Sequence, residues 1–138
     1  MYVVALVLSV AVAACATQYQ TQGFSGGYVD RQIDANTYNV AFSGNGYTSS
    51  DHIDTSLLYR CAELTAAAGY DYFVIVEGHM TRGEPYFTTP GSKNVATATI
   101  KVFRGAKPVN NQNAYAAQAI LQTLGPQITT QSTTGNRS

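Results

Sequence analysis

Apolar and polar positions alternate, cluster and recur along this chain in patterns that specify its elements. From Thr37 to Ser43 the alternation is clean. Tyr38, Val40 and Phe42 fall on one face and Thr37, Asn39, Ala41 and Ser43 on the other, the period-two signature of a half-buried strand. Tyr28 to Ile33 is a weaker strand, and the Asp34-Ala35-Asn36 turn between the two makes a hairpin. After Gly44-Asn45-Gly46 the period changes. Ile53, Leu57, Cys61, Leu64 and Ala68 recur at helical intervals. Thr48 and Asp51 stand before them in capping-box spacing, and Gly69 is placed to close the helix in a left-handed C-cap. Asp71 to Val76 holds the apolar run Tyr72-Phe73-Val74-Ile75-Val76, which predicts a central strand covered on both sides. Arg82 to Ser92, with two Pro and two Gly, reads as a long loop. Val95 to Phe103 is a strand rich in β-branched residues. Ala117, Ile120, Leu121 and Leu124 form a second amphipathic stripe, which Gly125 and Pro126 are expected to end.

The predicted order is ββαββα, an α+β fold. Two one-sided helices bury their stripes against one face of a mostly antiparallel, four-stranded sheet, giving a two-layer α/β sandwich. The other face is expected to carry small and polar residues such as Thr97, Thr99 and Lys101. No internal repeat is evident.

The first stretch has a different character. Met1 to Ala14 is apolar except for Ser9 and Tyr2. Its 14 residues would span roughly 21 Å as a helix, short of the ~30 Å hydrocarbon core of a bilayer. The segment fits the apolar region of an export signal rather than a permanent span. Val12-Ala13-Ala14-Cys15 resembles the lipobox of bacterial lipoproteins. There, small side chains let an extended backbone enter the peptidase cleft, and the cysteine thiol takes a diacylglycerol. Export signals carry a positive n-region, yet the first basic residue here is Arg31. We therefore expect translation to start upstream of Met1.

The resemblance implies an acylated Cys15 with two thioether-linked chains and an amide-linked third. Each buried methylene adds about 0.8 kcal/mol, so several chains make anchoring effectively permanent. Ala16 follows the cysteine where retention in the inner membrane would show an Asp. By resemblance to that sorting rule, the expected location is the inner leaflet of the outer membrane, facing the periplasm. Membrane lipid is then the first partner, through Cys15, with an envelope protein as a possible second. Cys61, the only other cysteine, is left without an intramolecular partner. The expected organisation is a signal over residues 1–14, a lipidated N-terminus and tether over 15–25, a domain over 26–125 and a flexible tail over 126–138. The polar, uncharged run Ala16 to Ser25 reads as the tether, and Ile128 to Ser138, rich in Thr, Gln and Ser, as a frayed end.

Composition narrows the class further. Of 138 residues, removing 14 leaves 124, enough for one core that buries roughly two-thirds of its unfolded surface. With 45% apolar residues and 10 tyrosines, the chain is not of the disordered class. The charge is low and balanced, 8 basic against 8 acidic side chains, and Lys93, Lys101 and Lys107 are dispersed. Binding to nucleic acid needs clustered Lys and Arg on the phosphates, so that class is excluded. Two cysteines rule out a disulfide-stapled miniprotein.

A longer resemblance runs through the domain. Gly26-Gly27-Tyr28, Ile33-Asp34-Ala35-Asn36-Thr37-Tyr38, Phe42-Ser43-Gly44-Asn45-Gly46-Tyr47-Thr48, Leu58-Tyr59-Arg60-Cys61-Ala62-Glu63-Leu64 and Gly69-Tyr70-Asp71-Tyr72-Phe73 follow one another in order. The series resembles a group of small proteobacterial lipoproteins without established activity and covers roughly residues 26–103. It implies an envelope lipoprotein with no catalytic residue and no cofactor to carry over.

Several motifs remain as candidates for chemistry. Gly23-Phe24-Ser25-Gly26-Gly27 matches the nucleophile-elbow pattern, but it follows a polar tether and precedes a strand, whereas an elbow needs a strand-to-helix turn. Ser25 hydrolysis is accordingly a distant third reading. Gly44, Asn45, Gly46, Tyr47 and Thr48 lie between a strand and a helix start, where free N–H groups can hold a small anion or a glycan fragment. The plainer account gives the glycines turn geometry and makes Thr48 the cap. A dinucleotide is excluded by the small domain and the hairpin before the turn. Glu77 and His79 share a strand face, but a metal needs three or four converging ligands, and Cys61 sits on the apolar stripe. Arg60 and Glu63 are spaced for an ion pair or a tie to the sheet edge. Tyr86, in the long loop, is placed for contact with protein or glycan, since tyrosine joins a rigid apolar ring to a polar tip.

Overall fold

The alternation at Thr37–Ser43 and the helical stripe after it meet as one layer upon another. The computed structural model describes residues 19–21, 27–44, 49–81 and 94–135. Its elements are β1 (Gly27–Asp34), β2 (Thr37–Gly44), α1 (Ser50–Ala67), β3 (Tyr72–Thr81), β4 (Asn94–Phe103), β5 (Ala114–Ala116) and α2 (Ala117–Gly135). The fold is α+β. Its sheet has five strands in the order β1-β2-β4-β3-β5, and every neighbouring pair is antiparallel.

The expected count of four strands is corrected by β5, which pairs Ala114 with Val74 and Ala116 with Tyr72. Three residues are too few to show a period, so this strand exists only through its partner. β1 and β2 form the expected hairpin. At its turn the Asn36 N–H donates to Asp34 Oδ1 at 2.9 Å, and that bond holds the Asp34 carboxyl below the usual aspartate range. α1 carries the chain from the end of β2 to the start of β3, and β4 returns between those two strands.

Register decides which residues share a face. Tyr38, Val40 and Phe42 stand opposite Ile100, Ala98 and Ala96, while Phe73 stands opposite Val102. This face lies beneath α1, whose Ile53, Cys61 and Ala62 are fully buried. Ala96 and Ala98 keep the middle strand low, so the helix can approach it closely. Ala117, Ile120 and Leu121 of α2 pack against the same cluster. Asn39, Thr97, Thr99 and Lys101 lie on the opposite face, where the Asn39 amide donates to Thr99 Oγ1 at 3.3 Å.

Three further expectations are revised. The helix start falls one residue late: Ser49 rather than Thr48 is the N-cap, and its Oγ accepts the His52 N–H at 3.2 Å. The apolar strand is longer than expected and is bulged between Ile75 and Glu77. Its neighbours β4 and β5 flank it, but the described helices cover one face only, and Val76 is 52% exposed at the bulge. Finally, Gly125-Pro126 does not end the second helix, which continues to Gly135. Proline costs one N–H there. The continuation is supported from outside, because the site of a Cβ on Gly125 lies 3.9 Å from the Tyr59 ring and Ile128 is buried.

Gly69 closes α1 as expected, at φ +82°. Its N–H donates to the Ala66 carbonyl and the Tyr70 N–H to that of Thr65, both at 3.0 Å, which is the Schellman arrangement. The loop expected over Arg82–Ser92 lies outside the described residues.

Phe73 is fully buried, whereas Val109 is completely exposed. In urea unfolding, Phe73→Ala is expected to cost about 3–5 kcal/mol and Val109→Ala no more than about 0.5 kcal/mol.

Candidate functional site

Of the residues expected to carry function, Cys15, Asn45, Gly46, Tyr47, Thr48 and Tyr86 lie outside the described residues, as does Ser25. Gly44 is described. It ends β2, is buried and stands opposite Asn94, so its backbone belongs to the sheet ladder. Glu77 and His79 occupy register positions on the open face, opposite Thr99 and Thr97. Among the described residues, no three His, Cys, Asp or Glu side chains converge to hold a metal ion.

Among the described residues, polar and aromatic side chains gather around Tyr19 to Thr21 and the start of β1. Part of the expected tether is docked there. The Tyr19 ring lies 5.0 Å from Tyr28, 6.4 Å from Phe42 in a stacked arrangement and 5.2 Å from Tyr59 edge-on. Such ring pairs add about 0.5–1.5 kcal/mol each beyond their buried area. The Tyr28 N–H donates to the Gln20 carbonyl at 2.7 Å, and the Thr21 hydroxyl donates to the Tyr28 hydroxyl at 3.2 Å. Thr21 thus forms a parallel bridge with Tyr28 on the outer edge of β1.

Gly27 makes this docking possible. Its φ is +129°, and a Cβ there would fall 2.4 Å from the Gln20 carbonyl oxygen. Only glycine lets the two backbones come so close.

Beside the docked segment, Arg60 ties α1 to β1. Its Nε and Nη2 both reach Asp30 Oδ2 at 2.8 Å, and its guanidinium lies 4.2 Å above the Tyr28 ring. Glu63 Oε1 is 3.7 Å away. The expected Arg60–Glu63 spacing is therefore met by a second, closer carboxylate from the sheet. Asp30 stands opposite Val40, on the helix-covered face, which is why it meets a side chain from α1. At 20% and 24% exposure, this pair is stronger than the ~0.2–1 kcal/mol of a fully exposed one only in so far as water is kept away. Arg60, Asp30, Tyr28, Val29 and Thr21 line an open cleft of about 360 Å³. Because the guanidinium is already compensated, the cleft is poorly suited to an anion.

Two other groups are set by burial. The Cys61 thiol has no disulfide partner and is pushed up to about 12 by burial, so it is no thiolate nucleophile at neutral pH. The Glu63 carboxyl is raised above the usual glutamate range, again by burial. Arg60 and Glu63 were legible as a pair or an edge tie, but the partner Asp30 was not. Tyr19 was missed altogether. Its signal was a large ring within a run of Thr and Gln, a few residues before Gly26-Gly27.

Comparison with known proteins adds no kinship: no protein-family model matches the chain, and neither the curated proteins nor the solved structures yield a match.

Gly27→Ala strains the backbone by about 1–3 kcal/mol and drives the docked segment off. Chymotryptic cleavage after Tyr19 is then expected to rise about tenfold while the remaining domain stays folded. Glu63→Gln tests the raised carboxyl. A raised native pKa means that the charged form costs stability above it, and that this cost disappears as the group is protonated. The variant should melt higher than the parent at neutral pH, with the gap closing towards pH 4.5, the ordinary glutamate value.

Proposed function

We propose that this chain is an envelope lipoprotein, anchored through acylated Cys15 in the inner leaflet of the outer membrane. Its α+β domain serves as a non-catalytic structural or interaction module. The observation that carries the reading is the run Val12-Ala13-Ala14-Cys15 at the end of the apolar segment Met1 to Ala14. The order of residues from Gly26 to Phe73, which resembles small proteobacterial lipoproteins, supports the same reading. Cys61, the other cysteine of the sequence, is sealed in the core. Among the described residues, no helix is long and apolar enough to cross a membrane. In this reading, attachment rests on lipid chains.

The domain's part is to present a rigid surface rather than to turn over a substrate. The sheet face that the described helices leave uncovered carries Asn39, Thr97, Thr99 and Lys101 beside the exposed Val29 and Ile33 and offers hydrogen-bonding and apolar groups on a fixed scaffold. An envelope protein is the expected partner.

Mass spectrometry of the N-terminal peptide from native membranes tests the assignment. A peptide beginning at Cys15 and carrying acyl chains is expected, and Cys15→Ser should give an unprocessed or released chain without added lipid. An acyl-free Cys15 in membrane-derived protein rejects it.

A further inference from the structure

We infer that the end of the domain where β1 begins is held against the lipid headgroups, and that the opposite end stands away from them. The inference rests on the acylation of Cys15 proposed above and goes further, by giving the domain a defined membrane-facing surface.

Order in the domain begins earlier than the sequence implied. Tyr19 is wedged among Tyr28, Phe42 and Tyr59, and Gln20 is bonded to the Tyr28 N–H. The free chain therefore does not extend to residue 25. From Cys15 to Tyr19 there are only four residue steps, which reach at most about 14 Å however they are arranged.

The direction of entry is also set. The bridge between Thr21 and Tyr28 is parallel, so residues 19–21 run the same way as β1 and enter from the end of the sheet where β1 starts. The antiparallel register brings Ser43 and Gly44, the last residues of β2, to that same end, together with Val95 and Asn94 of β4 and Thr81 of β3. α1 starts there too, since His52 packs edge-on to Phe42 at 5.8 Å. The other end carries Asp71, Phe103 and Gly105, joined by the Asp71 N–H to the Phe103 carbonyl and by the Gly105 N–H to Asp71 Oδ2. Asn94 to Phe103 alone spans about 30 Å. The tether is thus less than half the length of the domain, and a lipid attached through it keeps one end close and leaves the other free.

Charge does not bring about this orientation. Among the described residues, Asp51 and Asp54 belong to the near end of α1, while Lys101 and Arg104 at the far end are matched by Asp34 and Asp71, so these charges do not draw the near end to an anionic surface. The covalent tether has to decide it.

Two labels on one helix read the orientation directly. Asp51 and Ala67 are both exposed on α1 and lie about 24 Å apart along its axis. Acylated full-length protein carrying Asp51→Cys or Ala67→Cys is labelled with a fluorophore and placed in neutral phosphatidylcholine vesicles containing a headgroup spin-labelled lipid. Cys61, fully buried, stays unlabelled in the folded chain. Quenching at position 51 is expected to exceed that at 67 several-fold. Inserting about twenty Gly and Ser residues after Ala16 should make the two alike, because the reach of a flexible chain grows with its length. Equal quenching with the natural tether, on protein whose acyl mass has been verified, overturns the inference while leaving the lipoprotein reading intact. An acyl-free mass overturns both.

Discussion

The one constraint on which the rest of this structure depends is that the described helices cover one face of the sheet, the one that carries the large apolar side chains. Val40, Phe42, Ile100, Val102 and Phe73 project to one side, and α1 lies across them with Ile53, Cys61 and Ala62. Burying each large side chain contributes about 1.5–3 kcal/mol, so this layer dominates the stability. Its geometry is narrow. On one face of β4, Ala96 and Ala98 give way to Ile100 and Val102, and that gradation from small to large sets how deeply the helix can settle. α2 then completes the cover through Ala117, Ile120 and Leu121.

Placing α1 in this way has consequences at the edge of the sheet. β1 carries Tyr28 and Asp30 on the helix-covered face, opposite Phe42 and Val40. These two residues meet Arg60, which reaches down from α1. A strand with so much exposed surface would otherwise be loosely held. Arg60 fastens it from above, and the outer edge of its first residues is capped by Gln20 and Thr21. An edge strand with free N–H and C=O groups invites pairing with another chain, so docking the incoming segment there satisfies part of that edge with the protein's own backbone.

Much of this was legible in the residues, and what was not has identifiable causes. The hairpin, the long helix with Gly69 at its end and the strand Val95–Phe103 each follow from a repeated local pattern. Local patterns survive because they report which side of an element faces apolar neighbours. The failures came where a residue's state depends on a distant partner. β5 is too short to show a period and is defined by Tyr72 and Val74. Pro126 looks like a helix end until Tyr59 and the burial of Ile128 are known. Ser49 displaced Thr48 as cap because a shift of one residue leaves the local signals nearly unchanged. Asp30 gave no sign that Arg60, thirty positions away, would hold it.

The amino-acid order alone determined the α+β class and the buried sides of β2, β4, α1 and the start of α2. These are properties of neighbours in sequence, written in period and side-chain size. Only the tertiary structure decided that Tyr19, Gln20 and Thr21 belong to the folded domain, which end of the sheet the chain enters, and which carboxylate Arg60 takes. The physical reason is that rings, carbonyls and charges far apart in sequence become partners only when the register between strands has been set. That register depends on the buried face beneath α1.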